Sequence, residues 1–177
     1  MKNSENIASI LLLAGLAGIA YMLHKNSNHD ENTPAEATRY PNPNGASRGY
    51  RNNNPLNIEY SQSTVWQGEI RPSTDKRFAQ FENLAYGYRA AFKTLHTYMT
   101  KYGLNTLQQI IGRWDPGATA NYVNFICQKT GWKPTQTFAP TDHVPLVKLV
   151  YHMAWMENGF KPALLDVNNG WKLYQSV

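Results

Sequence analysis

The sequence holds one cysteine, Cys127, and only 12 acidic residues against 17 basic ones in 177. A lone thiol excludes an internal disulfide framework and a cysteine-based zinc cluster, and it leaves the redox compartment open. The length excludes a large multidomain enzyme and allows one ordinary domain with a short extra segment. Charge is also sparse, at 16% of residues and a net +5, while aromatics reach 12%. That balance does not belong to a disordered chain. A Gly-rich phosphate loop and a G-x-S-x-G elbow are both missing. So is an H-E-x-x-H pair: His152 and Glu157 are five apart and fall on different helix faces. Beyond residue 46, Lys76-Arg77 is the only adjacent basic pair, so the stripe expected of a nucleic-acid binder is absent. Neither a metal, an organic cofactor nor nucleic acid is therefore expected. The mild basic excess suits an anionic partner such as lipid or cell wall.

What is present divides the chain. After a short tail, residues 1–6, the run Ile7–Leu23 is apolar and uncharged. As a helix it would reach roughly 25 Å, a marginal span of a ~30 Å hydrocarbon core. A retained membrane anchor is the favoured reading over a cleaved signal or a buried helix. Lys2 is offset by Glu5, and the run ends in Tyr21-Met22-Leu23, a poor cleavage site. Residues 24–46 are polar and rich in Asn and Pro, which predicts a flexible tether. The folded domain is expected over 47–177.

Within it, Leu56–Tyr60, Val65–Ile70 and Arg77–Phe81 are strand candidates, predicting a small three-stranded β patch. Helical spacing then links Leu84, Tyr88, Ala91, Leu95, Tyr98 and Tyr102, with Gly103 as a stop. Further helices are predicted from Thr106 to Trp114, near Ala120–Thr130 and over His143–Asn158, with a short one in Asp166–Tyr174. Cys127 then lies inside a helix and reads as a packed core thiol. The fold class is α+β, mainly helical.

With so few carboxylates, each can be questioned. Asp142 fits a helix cap and Asp115, before Pro116, a turn. Glu157 fits badly. It continues the apolar face of Leu146, Leu149, Val150 and Met153, in the last turn of its helix, where the dipole disfavours negative charge. Either it swings into solvent at a frayed end, or it is a carboxyl kept protonated by burial, as a general acid for glycoside cleavage requires. The run Arg48–Ile58 is the second dense signal. Amides of Asn52, Asn53, Asn54 and Asn57 and the guanidinium of Arg51 could hold sugar hydroxyls and N-acetyl groups. The same asparagines could simply shape turns. Trp66, Tyr86, Tyr88 and Tyr122 offer aromatic faces that suit either sugar stacking or a core.

The block R-G-x-R-N-N-N-P-x-N-I at Arg48–Ile58 is followed in order by W-x-G at Trp66–Gly68 and D-x-x-F-x-x-F at Asp75–Phe81. G-x-R-A at Gly87–Ala90, L-x-x-Y at Leu95–Tyr98, the run Tyr102–Thr106, Ile110-Ile111, Arg113-Trp114 and E-N-G at Glu157–Gly159 complete the set. In these pieces the chain resembles a phage and prophage family of virion-associated lytic proteins, similar to lysozyme-like peptidoglycan hydrolases. The segment from Asn53 to Phe81 also resembles the hairpin region of bacterial glucosaminidases and lytic transglycosylases. The resemblance implies a lysozyme-like domain cutting peptidoglycan glycan strands, with Glu157 as acid/base and Glu59 or Asp75 as a second carboxylate. Arg51, Asn52, Asn53, Asn54, Asn57, Trp66 and Tyr122 are the implied substrate contacts. It further implies a membrane-tethered enzyme, a lytic transglycosylase or a muramidase or glucosaminidase. Its domain would face the wall from a virion membrane or host inner membrane, with virion proteins as partners. A wall-binding virion protein that does not cut is the competing implication.

Two departures matter. The family usually has Arg where this chain has Glu59. The Glu-ended helix of lysozyme-like enzymes precedes the hairpin, whereas here it follows. A circularly permuted arrangement is the expected solution, and it requires Glu157 to pack beside the loop at Asn52–Ile58.

Overall fold

The computed structural model describes residues 47–176. The expectations for the tail 1–6, the anchor 7–23 and the tether 24–46 fall outside them. Among the described residues, no helix is long and apolar enough to cross a membrane.

The order of elements is α1 (Arg48–Arg51), β1 (Glu69–Ile70), β2 (Gln80–Phe81), α2 (Leu84–Tyr102), α3 (Leu107–Trp114), α4 (Thr119–Thr130), α5 (His143–Asn158) and α6 (Leu164–Gln175). This is a mainly helical α+β domain. The β patch is smaller than expected: β1 and β2 pair antiparallel, Glu69 with Phe81 and Ile70 with Gln80. The third candidate strand contributes one bridge, Glu59 to Phe78. Its neighbours spend their hydrogen bonds on side chains. The Ser61 hydroxyl accepts from the amides of Ser63 and Thr64, and the Arg71 guanidinium donates to the carbonyls of Ser61 and Thr64. A ladder cannot continue through groups already occupied.

The helices begin and end where local chemistry dictates. Asn83 caps α2, and Thr106 with Gln109 forms a capping box at α3. α2, α4 and α5 stop at Gly103, Gly131 and Gly159, each in the left-handed region. Asp142 precedes α5, but its carboxylate accepts from the Ala139 amide and leaves the first turn uncapped by a side chain. The last helix is longer than its sequence pattern predicts.

α2 carries Tyr88, Phe92, Leu95 and Met99 at alternating four- and three-residue steps, with Ala91 beside them, and all are buried. This face packs most extensively on α6, where Phe92 meets Trp171 edge-on at 5.1 Å between ring centres. Burying side chains of this size contributes roughly 1.5–3 kcal/mol each. Leu146, Leu149, Val150 and Met153 of α5 complete the core. Cys127 is only half-buried, and burial raises its thiol pKa.

Close packing also fixes the N-terminal loop. A Cβ on Gly87 would stand 2.1 Å from the Asn53 carbonyl oxygen, so only glycine lets α2 approach the loop this closely. Gly49 is similar: a Cβ there would lie 2.7 Å from the Asn158 side-chain oxygen. Asn158 latches the loop to the end of α5, donating to the Pro55 carbonyl at 2.7 Å and accepting from the Ser47 hydroxyl at 2.5 Å.

Candidate functional site

α5 delivers Glu157 in its last turn, and three other segments converge on it. Its Oε1 accepts from Trp114 Nε1 at 3.2 Å and from the Tyr122 hydroxyl at 3.1 Å. Its Oε2 accepts from Asn57 Nδ2 at 3.0 Å, across 100 residues of sequence. Glu157 thus packs beside the asparagine loop. It is half-buried in the wall of an open cleft of about 650 Å³. The cleft is also lined by Asn57, Glu59, Arg77, Phe78, Tyr98, Trp114 and Asp115.

Two neighbours of Glu157 can serve a carboxylate or a carboxylic acid. The Tyr122 hydroxyl is within reach of both Glu157 and the Met153 carbonyl, at 3.1 and 3.2 Å. A phenol has one proton, so it can donate to the anion, or donate to Met153 and accept from the acid. Burial, reinforced by the nearby Glu157 charge, pushes the Tyr122 phenol well above its ordinary pKa, which keeps that proton in place. Asn57 donates to Glu157 while its own Oδ1 is buried without a partner. Turning the amide over would present that oxygen to a protonated Glu157. Asn57 is also held at a φ of 52°, a conformation asparagine tolerates better than most residues.

The remaining asparagines build the loop. Asn54 is fully buried and completely satisfied. Its Nδ2 donates to the carbonyls of Ile58 and Ala79, both at 2.8 Å, and its Oδ1 accepts from the Ile58 amide at 2.9 Å. Asn53 donates to the Phe81 and Glu82 carbonyls, fastening the loop to β2. Asn52 bridges Asp75 and Gln80. These three were expected to contact sugar, yet their amides are committed to protein and none lines the cleft. Arg51 and Trp66 do not line it either. Trp66 packs on the core beside the hairpin, with its backbone amide bonded to Glu69. Tyr88 is fully buried, its hydroxyl against that of Tyr50.

Of the two expected second carboxylates, Asp75 is a structural anion. Arg48 grips both its oxygens at 2.7 Å, and Asn52 and the amides of Arg77 and Phe78 complete its shell. The Arg48 contact above all holds its carboxyl far below the usual range. Glu59 does line the cleft, paired with Arg77 at 2.8 Å in an exposed ion pair. Such a pair contributes at most about 1 kcal/mol and opens easily. Sequence reasoning missed Trp114, Tyr98 and Asp115. The motifs Arg113-Trp114 and L-x-x-Y at Leu95–Tyr98 were the available signals. Among the described residues, no group of three or more His, Cys, Asp or Glu gathers as a metal site would need.

Fold and site together define a mainly helical α+β domain whose cleft presents a glutamate held by an asparagine, a tryptophan and a tyrosine. No protein-family model matches the chain. Protein P5 of Pseudoalteromonas phage PM2 is 38% identical over 128 residues, covering 70% of this chain and 78% of that protein. The chain belongs to the family of this bacteriophage protein.

Proposed function

We propose that this chain is a phage-type peptidoglycan glycosidase, tethered to a membrane through residues 7–23, and that Glu157 is its acid/base. The observation that carries the reading is the setting of Glu157: the end of a helix, the wall of a cleft, and neighbours able to bond to either protonation state. Asn57 and Tyr122 are positioning residues, and Trp114 presents its ring edge to Glu157 and its body to the cleft.

The reaction favoured is lytic transglycosylation between N-acetylmuramic acid and N-acetylglucosamine. Glu157 gives its proton to the glycosidic oxygen as the bond to the muramyl C1 breaks. The same carboxylate then takes the proton of the muramyl 6-hydroxyl as that oxygen bonds to C1. The product is a 1,6-anhydro sugar, no water is consumed, and Glu157 ends protonated as it began. This route needs one carboxylate. Glu59 is engaged by Arg77, and Asp115 accepts from the Ala118 amide at 3.1 Å. Hydrolysis would require one of these two to activate water across the cleft.

One observation favours a second reading, a wall-binding virion protein that does not cut. Both oxygens of Glu157 already accept bonds from protein donors, so the side chain also serves as a strut joining α3, α4, α5 and the loop. Zymography on purified bacterial walls tests both. For the enzyme, the parent clears the wall and Glu157→Gln clears none while retaining its circular dichroism. A folded parent that clears nothing refutes the enzyme and leaves the strut.

A further inference from the structure

A second depression of about 590 Å³ adjoins the Glu157 cleft, and the two share Tyr98 and Pro116 as a common wall. Its other sides include Leu104, Gln109, Gly112 and Arg113. The aromatic side chains step outward along this path. Trp114, against Glu157, meets Tyr98 edge-on at 6.4 Å, and Arg113 lies 5.2 Å from the Tyr98 ring centre and 3.9 Å from that of Tyr102. Tyr102 is 44% exposed. Tyr102 lies under the Arg113 guanidinium and the Tyr98 hydroxyl takes one of its N–H groups, which together orient it and leave its remaining N–H groups to donate. No carboxylate of the described residues pairs with it, whereas Arg48, Arg71 and Arg77 each have one. Gln109 adds a directed group. Its Oε1 is consumed by the amides of Asn105 and Thr106 and by the Thr106 hydroxyl, so the side chain can offer only its Nε2 donors.

The depression therefore offers donors beside aromatic faces, one step along the cleft from the reacting glutamate. We propose that it is a carboxylate-recognising subsite, in which Arg113 forks onto an acid group of the wall polymer: the lactyl or peptide-stem carboxyl carried by a muramyl residue. This rests on the peptidoglycan reading above and extends it, since it makes the protein a reader of substituted glycan rather than of the sugar backbone alone. Planar two-point recognition of a carboxylate is what a guanidinium does and an ammonium does poorly.

The test is a binding cycle that does not depend on cutting. The full chain carrying Glu157→Gln is titrated onto purified sacculi, native or with their carboxyls converted to amides. It is compared with the same chain also carrying Arg113→Met or Arg113→Lys, each checked for its fold by circular dichroism. On native sacculi, Arg113→Met binds about tenfold more weakly, the loss expected for hydrogen bonds to a charged group. Arg113→Lys falls between. Amidation brings the Arg113 chain down to the level of Arg113→Met and changes Arg113→Met little, because both perturbations remove the same contact. If amidation weakens both equally, attraction is general and the subsite is refuted. Equal affinity of the two chains on native sacculi, or no binding by the Arg113 chain, refutes it as well. The outcome is independent of the enzyme reading: a chain that cuts no wall fails the zymogram, while the binding cycle still decides for or against Arg113.

Discussion

Replacing Asn54 by alanine separates a scaffold asparagine from a sugar-binding one. The side chain has no exposed surface and makes three hydrogen bonds, one donated to and one accepted from Ile58 in the loop and one donated to the Ala79 carbonyl beyond it. Alanine removes all three. The Ile58 carbonyl keeps a donor in the Ala79 amide, but the Ile58 amide loses the acceptor Asn54 provided. Each net bond contributes about 1 kcal/mol, and a stranded buried donor costs about 1–3 kcal/mol. The two donated bonds and the stranded Ile58 amide together give an expected loss of about 3–5 kcal/mol, a large share of the 5–15 kcal/mol typical of a whole domain. Guanidinium unfolding followed by tryptophan fluorescence measures it, with the slope against denaturant checked for constancy. A loss below about 1 kcal/mol, accompanied by lost wall binding, would return Asn54 to the sugar site and refute the scaffold assignment.

Gly87→Ala is expected to cost at least about 3 kcal/mol or to prevent folding, since its Cβ would sit 2.1 Å from a backbone oxygen; a melting curve within two or three degrees of the parent would contradict the packing. Asp75 is an acid whose folded pKa lies below its unfolded value, so its contribution is present above about pH 4 and lost as pH falls below that. Asp75→Asn should therefore be less stable at neutral pH and show a flatter decline into acid, read by melting temperature against pH. Tyr122→Phe removes one donor to Glu157 and leaves the buried ring, so activity should fall about tenfold, some 1.4 kcal/mol of barrier, with a smaller change in unfolding free energy. An unchanged rate would take Tyr122 out of the positioning role.

Much of the helical framework was legible because periodicity and stops agree. The spacing from Leu84 to Tyr102 with Gly103 behind it predicts α2, and the awkward place of Glu157 on an apolar face was readable because acids are scarce. The rest depends on tertiary placement. Nothing in N-N-N-P says that Asn54 turns inward to bond three backbone groups while Asn57, three residues on, reaches a helix end 100 residues away. The four-residue α1 carries no periodicity and is set by the Ser47 side chain accepting from Tyr50. Tyr98 sits three residues from Leu95 on α2, yet its ring reaches the cleft, where it meets Trp114 and Arg113, and helical spacing alone does not show this. The third strand stays at one bridge because the Asn54 side chain holds the Ile58 amide and Arg71 occupies the Ser61 carbonyl just beyond Tyr60.

Mass spectrometry of the soluble products from purified peptidoglycan reaches the central claim most directly. If Glu157 alone performs both proton transfers, the parent releases muropeptides ending in 1,6-anhydro-muramic acid, and Glu157→Gln releases none. Reducing ends would instead assign hydrolysis and bring Glu59 or Asp115 into the mechanism. Anhydro products from a folded Glu157→Gln protein at the parent's rate would contradict the account.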